Sequence, residues 1–294
     1  MSAASPVAAT VVVPTRDRPD QLRACLAALD AQAGADLEVV VVDDASRDAG
    51  AVAAVVASSP RARLVRGEGR GPAAARNLGA ASAAAPVVCF TDDDCRPEPG
   101  WLAALLARFD TGGSEVSEVD AVAGPTLTGV AGNPWSTASQ VVTNHLMAAS
   151  LEPSTGRLGF APTSNLACRA EVARTLPFDE RYPLAAGEDR EWCARLREQG
   201  GQLVFEPAGR VWHHQDLTAT SFWRQQQRYG RGAYRFHARR PAGARLQPMR
   251  FYVDLLRAGW RHGPRVGALV VAAQVATATG LVAEALADRH RAAD

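Results

Sequence analysis

Short β-branched runs separated by amphipathic stretches dominate the hydrophobic pattern in the first third of the chain. The apolar runs lie at residues 10–13, 37–42, 63–65 and 86–90. Runs of this length and composition predict strands that are buried on both faces. After the first run, Asp17 to Pro19 supplies a helix start. An apolar stripe at helical spacing follows, made by Leu22, Cys25, Leu26 and Leu29.

The order of these elements predicts the fold class. Further helices are expected at about 45–57, 73–83 and 99–109, so strands and helices alternate. This alternation gives right-handed β-α-β units and a mostly parallel central sheet flanked by helices. Later strands are predicted at 120–124, 163–168 and 203–206, and the run at 163–168 fits an ordinary edge strand equally well. Two helices separated near 262–264 are predicted within 249–286. The sequence therefore predicts an α/β fold with a C-terminal helical extension.

Composition narrows the function classes. A chain of 294 residues that is 47% hydrophobic can bury a large core, as one α/β domain or as a domain with an appendage. The net charge of +1 provides no field that would attract nucleic acid. Five scattered cysteines form no Cys-x-x-Cys pair, and residues 1–9 lack a signal-peptide pattern. We therefore expect a cytoplasmic protein without a nucleic-acid partner.

Carboxylates follow two of the predicted strands. Asp92, Asp93 and Asp94 come directly after the strand at 86–90, and Asp43 follows the strand at 37–42. Parallel strands end at one edge of the sheet, where open α/β folds bind ligands, so these acids should face one crevice. Side-chain alternation would place Asp92 and Asp94 on one face. Such a pair suits Mg²⁺ or Mn²⁺ beside a diphosphate, although an acidic turn that caps the next helix fits the residues equally well.

Two other nucleotide-binding motifs are absent. A dinucleotide site would place Gly-x-Gly-x-x-Gly after the first strand, where this chain has Pro14-Thr15-Arg16-Asp17-Arg18. The glycines at 67–71 lack the lysine of a phosphate-binding P-loop.

Four motifs in sequence order resemble the family 2 inverting glycosyltransferases, which have the GT-A fold. They are Val-Pro-Thr-x-x-Arg-Pro at 13–19, Val-Val-Asp-Asp-x-Ser at 41–46, Ala-Arg-Asn-x-Gly at 75–79 and Thr-Asp-Asp-Asp at 91–94. The resemblance implies that Thr15, Arg18 and Asp43 contact the nucleotide and that Arg76 and Asn77 help hold the donor. It also makes Asp92-x-Asp94 the metal-binding DxD motif, with Asp94 the main ligand. The complete set of donor-binding residues expected on this basis is Pro14, Thr15, Arg18, Asp43, Asp44, Arg76, Asn77, Asp92, Asp93, Arg228 and Arg231.

A second acidic pair opens a predicted helix. Glu188 and Asp189 precede an amphipathic stretch, where acids stabilise the helix dipole without any other role. The pair also resembles the Glu-Asp motif of the family, whose aspartate is the catalytic base. A carboxylate in that position can take the proton of an acceptor hydroxyl. The resemblance therefore assigns Asp189 as the base and Glu188 as its support.

Basic residues near the C-terminal region complete the expected site. The family often places a histidine before an Arg-Tyr-Gly segment, which here favours His213 over His214 as a further metal ligand. The segment Gln225-x-x-Arg228-Tyr229 resembles the Gln-x-x-Arg-Trp motif of processive members, with tyrosine replacing tryptophan. Arg228 and Arg231 could neutralise a leaving diphosphate, because guanidinium groups suit phosphate, or they could form a basic surface.

The apolar stretch at 266–283 reaches the length of a minimal membrane span, but its alanine, glycine and threonine content is poor for insertion. We expect this helix to pack on the domain or on a second subunit in a homodimer. Neighbouring arginines leave peripheral membrane contact open. The expected division is a glycosyltransferase domain at 1–215, with a donor half at about 1–125 and an acceptor half at about 126–215, followed by a helical region at 216–294.

The resemblance implies an inverting, metal-dependent glycosyltransferase. Its donor would be a nucleotide-diphosphate sugar, with a UDP-sugar favoured, and its cofactor Mn²⁺ or Mg²⁺. The acceptor hydroxyl, on a glycan, lipid-linked compound, peptide or small molecule, is not identified by any motif. Two alternatives are a sugar-nucleotide pyrophosphorylase, which would need a basic glycine-rich loop after the first strand, and a non-catalytic nucleotide-sugar-binding scaffold.

Overall fold

The computed structural model describes residues 7–33, 36–109, 119–182, 186–239 and 247–291. The strands in these ranges are β1 (Ala9–Thr15), β2 (Leu37–Asp43), β3 (Ala62–Arg66), β4 (Val87–Phe90), β5 (Cys95–Pro97), β6 (Ala121–Ala123), β7 (Thr126–Thr128), β8 (Leu151–Glu152), β9 (Arg157–Leu158), β10 (Leu166–Arg169), β11 (Leu203–Phe205) and β12 (Val211–His213). The helices are α1 (Pro19–Asp30), α2 (Ala49–Ala57), α3 (Pro72–Ala81), α4 (Trp101–Leu106), α5 (Pro134–Ala149), α6 (Ala170–Thr175), α7 (Glu188–Glu198), α8 (Ala219–Ala238), α9 (Met249–Arg261) and α10 (Pro264–Arg291).

A nine-stranded sheet forms the centre of the molecule, in the order β3-β2-β1-β4-β10-β6-β11-β9-β8. The first four strands in this order are parallel, and β1, β2 and β4 are almost entirely buried. Helices cover the sheet and bury two apolar clusters against it. The α/β class and a central sheet flanked by helices are therefore confirmed. The sheet is mixed, because the pairings of β10 with β4 and β6 and of β9 with β11 and β8 are antiparallel.

Strand β10 departs from the sequence-based expectation. The run at 163–168 was equally well explained as an ordinary edge strand, but β10 lies in the middle of the sheet. It pairs antiparallel with β4 on one side and with β6 on the other. Its residues Leu166, Ala167 and Cys168 are fully buried, as a central position requires. The edge-strand interpretation is wrong, because β10 has a pairing strand on each side. Its side chains are buried on both faces of the sheet, so the sequence shows no alternation of polar and apolar residues.

Helix α3 approaches the sheet closely through Gly79. A Cβ atom at Gly79 would lie 2.3 Å from a methyl carbon of Val12, so only glycine fits there. This close approach places Arg76, one turn earlier on the same helix, beside the carboxyl end of β4. The Ala-Arg-Asn-x-Gly spacing thus has a packing cause: the glycine sets the depth of the helix and the arginine points into the site.

The C-terminal helices pack on α5 and not away from the domain. A third apolar cluster joins α5 to residues of α8, α9 and α10, including Phe222, Leu255 and Val270. Helices α8 and α10 touch through glycines: a Cβ atom at Gly230 would lie 1.9 Å from the carbonyl oxygen of Thr277. The predicted break between two C-terminal helices is confirmed at 262–263.

Within the described residues, α10 is long and apolar enough to cross a membrane, with a mean hydropathy of 1.9 over its most apolar window. A third of that window is buried against the rest of the protein. Glu284 of this helix is almost completely buried and pairs with Arg235 of α8 at 3.0 Å. Such contacts are those of a helix packed on the domain, which agrees with the sequence-based expectation.

Candidate active site

The three acids after β4 lie in a turn and not on a continuing strand, because β4 ends at Phe90. Strand alternation therefore does not place them. Arg18 Nη1 donates to Asp93 Oδ1 at 3.1 Å and to Asp94 Oδ2 at 3.2 Å. Asp92 instead accepts from Arg76. The expectation that Asp92 and Asp94 share one face is thus not met.

Asp93 is held by the end of β1. The Thr15 hydroxyl donates to Asp93 Oδ2 at 2.8 Å. Burial raises the pKa of Asp93 to about 7, with a contribution from the negative charge of Asp94, although Arg18 opposes the rise. Three expected donor-binding residues, Thr15, Arg18 and Asp93, therefore form one hydrogen-bonded unit at the carboxyl edge of the sheet.

Asp94 contacts His213 beside the pairing of β5 with β12 in a second, three-stranded sheet. Strand β12 runs antiparallel to β5 and brings His213 opposite Cys95. Asp94 Oδ1 lies 3.2 Å from His213 Nε2. Although burial disfavours both charged forms, the attraction between the two groups lowers the pKa of Asp94 and raises the pKa of His213.

The donor set at this point fits a divalent cation. Ligand atoms of Asp94, Cys95 and His213 lie within 4.8 Å of one another. A carboxylate with an imidazole suits Mn²⁺, whereas burial raises the pKa of the Cys95 thiol well above its usual value, which disfavours a thiolate ligand. Within the described ranges, neither Asp92 nor His214 belongs to this cluster, although Asp92 is an expected ligand.

A chain of amides orients the His213 ring. Gln140 Oε1 lies 3.2 Å from His213 Nδ1, and Gln140 Nε2 donates to Asn144 Oδ1 at 2.8 Å. Because the amide nitrogen of Gln140 is used for Asn144, its oxygen faces the imidazole and accepts from Nδ1. This arrangement directs Nε2 towards Asp94. In metal-binding histidines, a hydrogen bond to the ring nitrogen that does not bind the metal usually fixes the ring in the same way. Gln140 was not predicted, since one glutamine in a helix carries no signal.

Arg76 connects the two acidic motifs. Its Nη2 donates to Asp92 Oδ1 at 2.8 Å and its Nη1 to Glu188 Oε1 at 3.1 Å. Arg76 and Glu188 are both almost completely buried. Burial raises the pKa of Glu188, whereas the charge of Arg76 opposes the rise. The resemblance gave Arg76 a role toward the donor, and the structure makes it the link between the DxD motif and the Glu-Asp motif.

Asp189 lies in the first turn of α7, one residue after Glu188. Its Oδ1 accepts from the Arg190 backbone amide at 2.7 Å. Burial, with the adjacent charge of Glu188, raises the pKa of Asp189 to about 7. A carboxylate with a pKa near neutrality is suited to accept a proton in general base catalysis.

Two glycines set the position of this turn. Gly187 has φ = 93°, a conformation that side chains rarely adopt, and α7 begins directly after it. Gly232 of α8 packs against the same segment: a Cβ atom there would lie 2.3 Å from the Ala186 carbonyl oxygen. The start of α7, and with it Asp189, is therefore supported by α8.

A cavity of about 320 Å³ brings the acidic motifs and the histidine together. The acids, arginines and histidines in its wall are Arg76, Asp92, Glu188, Asp189, Arg190, His213 and His237. Tyr229 also lines it, and burial raises the pKa of its hydroxyl, which stays protonated. The two motifs, 96 residues apart from Asp92 to Glu188, thus form one site.

Asp43 and Asp44 organise the glycine-rich loop beside the crevice. Asp43 Oδ1 accepts from the Ser46 amide at 2.9 Å, and its other oxygen pairs with Arg66. Asp44 accepts from the amides of two loop residues, Gly69 and Gly71, each at 2.9 Å. Their carboxylates therefore fix backbone at the edge where the resemblance places the nucleotide.

The other expected donor-binding residues lie outside the cavity wall. Asn77 bonds to the Phe178 backbone with both its amide nitrogen and its oxygen, at 2.9 Å and 2.8 Å. Arg231 of α8 is exposed, while Arg228 is partly buried with an Nε that has no partner among the described residues. Pro14 is partly buried in β1. For these residues a role toward the donor stays a prediction.

Comparisons with known proteins identify the family. The family described as Glycosyl transferase family 2 matches residues 10–144, and the one described as Glycosyl transferase family group 2 matches residues 87–286. The second match covers more than half of the 294 residues. The chain belongs to the family 2 glycosyltransferases.

The pre-mycofactocin glycosyltransferase of Mycobacterium tuberculosis is 30% identical over 240 residues, which are 79% of this chain and 48% of that protein. The chain thus spans about half the length of this curated relative. The glycosyltransferase AglE of Haloferax volcanii is 28% identical over 203 residues, covering 67% of this chain and 63% of AglE.

A solved structure shows the same fold. The mannosyltransferase PcManGT from Pyrobaculum calidifontis, in complex with GDP-Man and Mn²⁺, aligns with a TM-score of 0.58 over 98% of this chain and 81% of its own. At 21% identity, this likeness concerns the fold alone. The GT-A fold expected from the four motifs is confirmed.

Proposed function

We propose that the protein transfers a sugar, with inversion, from a nucleotide-diphosphate sugar to an acceptor hydroxyl, and that Asp189 is the general base. The observation that carries the proposal is the cavity in which Asp189 and Glu188 face Asp92, Arg76 and His213. Membership of the family supports sugar transfer. The GDP-Man named for the structural neighbour supports the donor class, while a UDP-sugar stays the favoured donor.

The proposed step is one displacement at the anomeric carbon. The acceptor oxygen forms its bond to that carbon while the bond to the diphosphate oxygen breaks, and Asp189 takes the hydroxyl proton. Its pKa of about 7 keeps part of the carboxylate unprotonated at neutral pH while making it basic enough to accept the proton. Because attack and departure occur on opposite faces, the product has the inverted configuration.

Arg76 and Glu188 fix the positions of the groups that take part in the displacement. Arg76 fixes Asp92 on the donor side and Glu188 on the acceptor side through its two hydrogen bonds. Asp94 and His213 would hold Mn²⁺ or Mg²⁺, which when bound supplies positive charge for the departing diphosphate. Asp92 is the further ligand that the resemblance implies.

Calorimetric titration with UDP, GDP and dTDP, each with and without Mn²⁺, tests the donor half of the proposal. We expect one nucleotide to bind, and its affinity to depend on the cation. His213→Ala should weaken the cation dependence, whereas His214→Ala, at the neighbouring position outside the cluster, should not. Absence of binding by all three nucleotides would contradict the proposal and would favour a scaffold.

We also propose that the protein is cytoplasmic and that it contacts a membrane surface peripherally. Large apolar side chains are exposed on the two C-terminal helices, at Val253 and Trp260 of α9 and at Val271, Val275 and Val282 of α10. Such a face can lie in a membrane interface or cover a second subunit. Vesicle flotation and sedimentation of the same preparation separate the two arrangements.

A further inference from the structure

Much of the cavity wall is apolar, although Gln274 and Thr277 of α10 also line it. Helix α5 contributes Val142 and Leu146, helix α9 contributes Phe251 and Leu255, and helix α10 contributes Leu281. Because Asp189 lines the same cavity, a molecule whose hydroxyl reaches the base can also contact these side chains. The C-terminal helices therefore form a wall of the active-site cavity as well as packing on the domain.

One buried polar atom in the wall has no partner. Gln226 is completely buried and lines the cavity, and its Oε1 has no hydrogen-bond partner among the described residues. Its Nε2 donates to Ser139 Oγ at 3.2 Å, and that hydroxyl donates to Gln225 Oε1 at 3.0 Å. Since Ser139 uses its only hydrogen for Gln225, it must accept from Gln226, which leaves Gln226 Oε1 for another donor.

An unpaired buried amide oxygen is unfavourable unless an ordered water or a ligand supplies a donor. A hydroxyl group supplies one. An acceptor with at least two hydroxyls can place one at Asp189 and offer another to Gln226, while its apolar body contacts the side chains of α5, α9 and α10.

We infer that the acceptor is an amphiphilic alcohol, which carries its hydroxyls on an apolar body and not on a long polar glycan. This inference rests on the proposed function, because it assigns the occupant of the acceptor side of that site. Gln226 is then a residue that binds the acceptor, and Leu146, Phe251 and Leu281 determine its selectivity for an apolar body. Burial of each methylene group should strengthen binding about fourfold.

Binding of two glucosides by the protein saturated with its nucleotide and Mn²⁺ tests the inference. Methyl β-glucoside and n-hexyl β-glucoside differ by roughly five methylene groups, and burial of about two of them predicts at least tenfold tighter binding of the hexyl compound. Phenyl β-glucoside, in a third titration, distinguishes an aromatic body from an aliphatic chain. Equal affinity for the methyl compound and both others, or no binding of any, would overturn the inference.

Two variants on one helix provide the control. Leu281→Asn changes a residue that lines the cavity, and Leu286→Asn changes an exposed residue five positions further along α10. We expect Leu281→Asn to reduce the hexyl-to-methyl affinity ratio several-fold, and Leu286→Asn to leave it unchanged. An unchanged ratio in Leu281→Asn would contradict the apolar subsite.

Gln226→Met tests the polar contact separately. Removing the amide should weaken the methyl and hexyl glucosides by the same factor, about tenfold for one buried hydrogen bond, and leave their ratio intact. Affinity for the nucleotide, measured in every variant, reports folding and the donor site. If the wild-type protein binds no nucleotide, the proposed function is contradicted. If it binds a nucleotide but no glucoside, only the assignment of the acceptor is contradicted.

Discussion

The link made by Arg76 leads to a quantitative prediction. The guanidinium makes two hydrogen bonds to carboxylates, at 2.8 Å to Asp92 and 3.1 Å to Glu188, and only 3% of its side chain is exposed. Arg76→Met keeps most of the volume but leaves Glu188 buried without its counter-charge. Removal of one partner of a buried ion pair typically lowers the free energy of unfolding by about 3–5 kcal/mol.

The assay is urea unfolding of the wild-type protein and three variants: Arg76→Met, Glu188→Gln and the double variant. If an unpaired charge causes the loss of stability in the single variants, the double variant should lose less free energy of unfolding than the two single variants lose together. We expect a coupling of about 1–3 kcal/mol from this cycle.

A matched control is Arg70→Met. Arg70 pairs with Glu180 at 2.7 Å, but its side chain is 59% exposed. Surface pairs of this kind contribute less than about 1 kcal/mol. A loss below about 1 kcal/mol for Arg76→Met, or a coupling near zero, would refute the reasoning.

The remaining predictions concern the catalytic step and its support. The rate of sugar transfer should fall as pH decreases below about 7, because Asp189 acts as a base only when unprotonated and its pKa is raised to about 7; a rate independent of pH between 5 and 7, about the span on which such a pKa acts, would contradict this assignment. Gly232→Ala should push the start of α7 away, because its Cβ would lie 2.3 Å from the Ala186 carbonyl oxygen; transfer should decrease while nucleotide affinity is retained, and full activity would contradict the support by α8. Gly230→Ala should lower the free energy of unfolding by about 1–3 kcal/mol through the contact of α8 with α10, measured by urea unfolding, and no change would contradict that packing.

Much of the sheet could be predicted from the sequence, because parallel strands that are buried on both faces consist of continuous apolar runs. Strands β1, β2 and β4 have this form, and the acids that follow β2 and β4 mark the carboxyl edge of the sheet. Strand β10 could not be located in the same way. Its pairing with β4 and β6 is a long-range arrangement that its own residues do not specify.

The candidate site was predictable where a motif supplies both the residue and its neighbours. Asp189, Glu188 and His213 line the predicted crevice with Asp92 and Arg76. Side-chain alternation does not apply to Asp92 and Asp94, because β4 ends at Phe90, before both of them. Hydrogen bonding then decides which carboxylate meets which arginine.

The contribution of the C-terminal helices to the cavity had no sequence signal. Gln274 and Thr277 interrupt an apolar stretch, and both line the cavity. Gln226 and Gln140 likewise depend on the packing of α5 against α8. Polar residues within apolar helices acquire a functional interpretation only after the helices are placed.

Sugar transfer by Asp189→Asn compared with the wild-type protein tests the central claim most directly. We expect a decrease of about 100- to 10,000-fold in the release of nucleoside diphosphate from the donor in the presence of an acceptor, because a general base is removed. The affinity for the nucleotide with Mn²⁺ should be unchanged, and the wild-type product should have the inverted anomeric configuration. Wild-type turnover in the variant would contradict the role of Asp189, and retention of configuration would contradict the single displacement.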